Sequence, residues 1–129
     1  MSFDIHLELQ PCEHCGRGEP EPVFDANLTH NVNGIVDACL VSAGAPVAKR
    51  GDSYYRERSW GRLEGWTGAE AEPILDAALR ECMKRERIAE FHAMEPENKW
   101  GSRESVEDTL RELLRACRQY PKAVIRTFG

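Results

Sequence analysis

Phe3-Asp4-Ile5-His6-Leu7-Glu8-Leu9-Gln10 opens the chain with strict alternation. Phe3, Ile5, Leu7 and Leu9 lie on one side of an extended backbone, and Asp4, His6, Glu8 and Gln10 on the other. That is the period-two pattern of a half-buried strand. Pro11-Cys12-Glu13-His14-Cys15-Gly16-Arg17-Gly18 follows and is rich in turn formers. Val23-Phe24 can return the chain along the first strand, and Asp25-Ala26-Asn27-Leu28-Thr29-His30-Asn31 delivers it to a helix. An N-terminal hairpin is therefore the element on which the fold is built.

Working outward, residues 32–43 predict a helix. Val32, Ile35, Val36, Cys39, Leu40 and Ala43 form one apolar stripe. Asn31 is placed as its N-cap and Gly44 as its C-terminal stop, with Pro46 preventing continuation. Thr67-Gly68-Ala69-Glu70 has capping-box spacing, but Pro73 follows closely. The expectation is a short turn after Thr67 and a helix from about Glu72, with Pro73 in its first turn. Ile74, Leu75, Ala78, Leu79, Cys82 and Met83 form its stripe. Residues 89–101 read as a link whose Phe91 and Trp100 fold back onto the core. Ser102 caps a helix over 103–120 with Val106, Leu110, Leu113, Leu114 and Cys117 on its buried face. Pro121 ends that helix, and 123–128 predicts a closing strand beside the hairpin.

Strands at both termini with helices between them define an α+β class. The expected architecture is a small, mainly antiparallel sheet, made of the N-terminal hairpin and the C-terminal strand, covered by about three helices. With 129 residues the chain reads as a single domain, 1–129.

Charged residues make up 30% of the chain and the net charge is −5. That balance argues against a general nucleic-acid binder, because phosphate binding needs surplus Lys and Arg. No apolar run approaches the roughly 18 residues of a membrane helix, and Met1-Ser2-Phe3-Asp4 has neither the basic nor the apolar region of a secretory leader. Three of the five cysteines, Cys39, Cys82 and Cys117, fall on helix stripes, as small buried apolar residues do. A reducing cytoplasm is the expected location.

Three groups of residues carry the candidate chemistry. Cys12 and Cys15 are half of a zinc knuckle, with His14 between them and His6 and His30 as further donors. A closed structural site needs four ligands, so zinc here depends on those histidines. Asn27, Thr29 and Asn31 alternate, and with Trp100 they could line a small-molecule pocket or, equally, bond locally to cap the helix. Arg56, Arg58, Trp60 and Arg62 belong to a basic-aromatic loop, 45–62, of the residue types that dominate protein interfaces. The alternative for that loop is a surface segment pinned by its Trp residues. No nucleophile–base constellation is legible, so catalysis is the minor reading.

Several runs, in order along the chain, carry a resemblance. They are Met1-Ser2-Phe3-Asp4, Asp25-Ala26-Asn27-Leu28-Thr29-His30-Asn31, Gly65-Trp66-Thr67-Gly68-Ala69-Glu70-Ala71-Glu72-Pro73, Pro96-Glu97-Asn98-Lys99-Trp100-Gly101, and Ala116-Cys117 through Tyr120-Pro121-Lys122-Ala123. The chain thereby resembles a family of small proteins of tailed phages and prophages. The resemblance implies a phage origin and brings no activity with it. The more basic loop 45–62 and the Cys12/Cys15 tip depart from the family pattern. Together these observations give the expectation of a phage-encoded accessory protein that binds a host protein or defence component in the host cytoplasm without catalysis. The alternatives are a small-molecule or nucleotide-binding protein, or an enzyme, with a pocket near Asn27, Thr29 and Trp100, and a minor virion component.

Overall fold

The computed structural model describes residues 2–10, 18, 20–45 and 59–128. Strand β1 (Ser2–Leu9) pairs antiparallel with β2 (Glu21–Thr29) and, on its other side, with β3 (Val124–Phe128). The order β2-β1-β3 puts the N-terminal strand at the centre. The pairing slips between Leu7, opposite Phe24, and Glu8, opposite Pro22. The irregularity falls beside a residue that has no N–H to give to a ladder, and β2 is an outer strand, where proline is tolerated.

The alternation has the expected outcome. Ile5 and Leu7 are buried with Leu28 and Ile125 under the helices. Asp4, His6 and Glu8 face the other way, where His6 sits 3.4 Å from Asp25 and 5.2 Å, ring to ring, from Phe128. The outer edge of β3 is not left bare. Gly65 donates its N–H to the Ile125 carbonyl at 2.9 Å, and Ile125 donates to the Trp66 carbonyl at 2.8 Å. Covering an edge in this way removes a template for unwanted pairing.

Helix α1 (Asn33–Ser42) buries Ile35, Val36, Cys39 and Leu40. Asn31 is not its cap. A 3₁₀ turn, His30–Val32, precedes the helix, and the cap position falls to Val32, whose side chain is fully buried. Apolar burial of Val32 thus sets the helix start in place of a polar side-chain bond. At the other end Gly44, with φ 81°, allows Ala45 to donate to the Leu40 carbonyl and Gly44 to the Val41 carbonyl, a Schellman closure.

Helix α2 (Gly68–Met83) begins four residues before the expected start at Glu72. The capping box forms fully: Glu70 N–H donates to Thr67 Oγ1 and Thr67 N–H to Glu70 Oε1, both at 3.2 Å. The first-turn N–H groups of Gly68 and Ala69 are taken by the carbonyls of Ala123 and Pro121, at 2.8 and 2.9 Å. With its start held on two sides, the helix accommodates Pro73 in its interior. Ala71, Leu75, Ala78 and Cys82 are buried, whereas Met83, expected on the stripe, is exposed.

The link contains a helix of its own, α3 (Ile88–Ala93), which buries Phe91 beneath the Arg87 guanidinium, 4.6 Å from the ring centroid. Helix α4 (Arg103–Gln119) is capped by Ser102, and its buried face holds the five expected residues. Its partner in the cap is the hydroxyl of Ser105, which accepts from the Ser102 N–H at 2.9 Å. The buried apolar residues of the sheet and helices form one connected core. Among the described residues, no helix is long and apolar enough to cross a membrane.

Candidate functional site

The connection between α3 and α4, residues 94–102, presents the most exposed large apolar side chain among the described residues. Trp100 is 71% exposed, against the expectation that it folds back on the core with Phe91. Its backbone is held in a bonded turn. Lys99 donates its N–H to the Pro96 carbonyl at 3.1 Å, closing a turn, and Trp100 N–H donates to Asn98 Oδ1 at 3.0 Å. Lys99 and Gly101 on either side take left-handed conformations, φ 62° and 101°. A Cβ on Gly101 would lie 2.7 Å from both Thr29 Cγ2 and Val32 Cγ1, so the chain presses directly on the end of β2 and the start of α1. Met94, 38% exposed, reaches the same region, with its Cε 3.1 Å from where a Cβ on Gly34 would stand.

The structure therefore brings Thr29 next to the Trp100 turn, while the side chains of Asn27 and Thr29 have local partners. Asn27 donates to the Asp4 carboxylate across the β1–β2 pair. Thr29 Oγ1 accepts the Asn31 N–H at 3.4 Å. These bonds match the structural use of such side chains.

The basic-aromatic loop divides. Arg56 and Arg58 lie outside the described residues. Trp60 is fully buried and Arg62 is mostly so, which removes Trp60 from any partner-facing surface. The cause is a 3₁₀ turn, Ser59–Leu63, seated on α1. Asp37 of α1 accepts the Ser59 N–H at 2.9 Å and the Arg62 Nε–H at 2.7 Å through one oxygen, Oδ1. Trp60 is thus a core anchor and not an interface anchor, which matches the reading of a segment pinned by its Trp residues. Cys12, His14 and Cys15, together with the side chain of His30, also lie outside the described residues. His6 is at mid-strand on the open face of the sheet.

A cluster that sequence reasoning missed spans both ends of the Trp100 connection. His92 Nδ1 lies 2.6 Å from Glu95 Oε1, and His92 Nε2 lies 3.7 Å from Glu104 Oε1. One donor atom from each of the three residues falls within 4.8 Å of the others. The His92-x-x-Glu95 spacing puts two of them on one side of the α3 end. Capping by Ser102 brings Glu104 into the first turn of α4. That spacing is present in the sequence, but it points to no shared face while 89–101 reads as a link between two helices.

Glu95 is fixed further by the Arg103 backbone N–H, which donates to Oε1 at 3.0 Å. This bond, with the neighbouring His92, holds the Glu95 carboxyl below the usual carboxylate range. It also satisfies one of the unpaired N–H groups at the start of α4, where the helix dipole favours an anion. Beneath it the Arg103 guanidinium is buried, bonded to the Cys82 carbonyl at 3.0 Å and to Glu107 Oε1 at 2.9 Å. The buried thiols do not shift alike. A hydrogen bond with Cys82, and burial, push the Cys39 thiol up, and burial pushes Cys117 up to about 12, whereas the hydrogen bond with Cys39 and the nearby Arg103 lower Cys82.

Comparison with known proteins finds no matching family model, curated protein or solved structure.

Proposed function

We propose that the chain is a phage-encoded accessory protein that acts by binding a host protein in the host cytoplasm, with Trp100 as the anchor of its binding surface. The observation that carries this reading is the 71% exposure of Trp100 on a turn whose bonds hold it outward. Trp is among the residues most enriched at interface hot spots, and an anchor fixed before binding loses little freedom on docking. Met94 adds an apolar neighbour on the same connection. The resemblance of five residue runs to tailed-phage proteins supports the origin.

The test is a pull-down from host lysate with the intact chain and with Trp100→Ala. The expected result is one host protein retained by the former and lost with the latter. Retention that is indifferent to Trp100→Ala, or a bound metabolite in the native mass with no host partner, overturns the reading. Detection of the chain in purified virions by mass spectrometry would place it in the particle instead.

A further inference from the structure

We propose that His92, Glu95 and Glu104 bind a divalent transition metal of the zinc class, and that the ion staples the two ends of the connection that carries Trp100. The three donors come from both sides of residues 96–102: His92 and Glu95 before it, Glu104 after it. They already lie within 4.8 Å of one another. Donor atoms around a four-coordinate zinc stand about 3.4 Å apart, given bonds of about 2.0–2.1 Å, so the ion opens the 2.6 Å contact of His92 with Glu95 and draws Glu104 inward. The donor set fixes the kind of ion. An imidazole with two carboxylates suits zinc, cobalt, manganese or iron, whereas calcium and magnesium favour oxygen alone. Three protein donors leave a coordination position for water.

Two features separate this set from a surface patch of carboxylates. The first is the imidazole, a nitrogen donor that a carboxylate patch lacks; an ion takes one ring nitrogen, and Nδ1 is the one beside Glu95, at 2.6 Å. The second is the support behind Glu95, whose Oε1 is held by the Arg103 N–H at 3.0 Å while the Arg103 side chain is locked in the core. Hydrogen bonds that orient a ligating carboxylate raise metal affinity. The backbone between the donors includes left-handed Lys99 and Gly101, a conformation that a cross-link at its base would help to hold.

The experiment uses the full chain carrying Cys12→Ser and Cys15→Ser, so that the tip thiols do not compete. Zn²⁺ is titrated by calorimetry, and Co²⁺ by absorbance. The expected result is one ion per chain, a cobalt spectrum without thiolate charge-transfer bands, and at least a tenfold loss of affinity in His92→Ala and in Glu104→Gln. Both substitutions are at exposed positions, and circular dichroism confirms that each variant is folded. Equal affinity in the folded variants, or less than one ion per chain, overturns the site. Hydrogen exchange supplies the second readout: amides 97–102 should exchange more slowly with Zn²⁺ bound. Unchanged exchange in a zinc-loaded chain overturns the staple. Trp100→Ala should bind the ion as the parent does, so failure of the binding surface and failure of the metal site are read separately.

Discussion

Gly68, the first residue of α2, lies against Tyr120 at the end of α4 so closely that a Cβ on it would stand 2.6 Å from the Tyr120 carbonyl oxygen. The same Cβ would fall 3.0 Å from the Cys117 carbonyl oxygen. Both contacts are backbone, which cannot rotate aside. Gly68→Ala is therefore expected to destabilise the protein by roughly 1–3 kcal/mol, as overpacking does, although alanine is the better helix former. Urea denaturation gives the measurement. An unchanged or raised midpoint would show that the two helix ends separate readily.

Trp60 and Trp100 should behave oppositely. Trp60 is fully buried and Trp100 is 71% exposed. Trp60→Ala is expected to cost about 3–5 kcal/mol, whereas Trp100→Ala should stay within about 0.5 kcal/mol. Thermal or denaturant unfolding of the two variants side by side decides it. Fluorescence adds a check, because the wet indole should be quenched by acrylamide and the buried one protected.

The ion pairs of Glu81 predict an acid dependence. Glu81 contacts Lys84 Nζ at 2.5 Å and Arg87 Nη1 at 2.9 Å. The bond from Lys84, then that from Arg87, lowers its carboxyl below the ordinary range. A carboxyl lowered in the folded state contributes stability above its unfolded pKa of about 4.3, and loses it as pH falls through the folded value. The stability difference between the parent and Glu81→Gln should thus be full near neutrality and shrink as the pH is taken from about 5 towards 3. A difference that stays constant over that range would mean that Glu81 acts through packing instead of charge.

Much of this architecture was legible in local pattern. The β1 alternation, the α1 and α4 stripes, the Ser102 cap and the closing strand each arise from residues a few positions apart, so a short window contains the cause. The Thr67–Glu70 box was legible too, but Pro73 argued against a helix start at Gly68. That conflict was resolved by the carbonyls of Ala123 and Pro121, more than fifty residues further along the chain.

The site was less legible, and the reason is burial. Trp60 and Trp100 are the same residue type in similarly polar, glycine-punctuated surroundings; sequence placed Trp100 inward and left Trp60 open between an interface anchor and a pin to the body. What sends Trp60 inward is Asp37, which gathers the Ser59 N–H and the Arg62 guanidinium onto α1 across more than twenty residues. What keeps Trp100 out is the contact of Gly101 with Thr29 and Val32, some seventy residues away. His92 and Glu104 likewise approach only because the start of α4 returns to the end of α3, where the Arg103 N–H bonds Glu95. Periodicity and capping act over one or two turns and are written in neighbouring residues. Which aromatic is buried, and which titratable groups meet, depends on contacts that exist only once the helices have closed on the sheet.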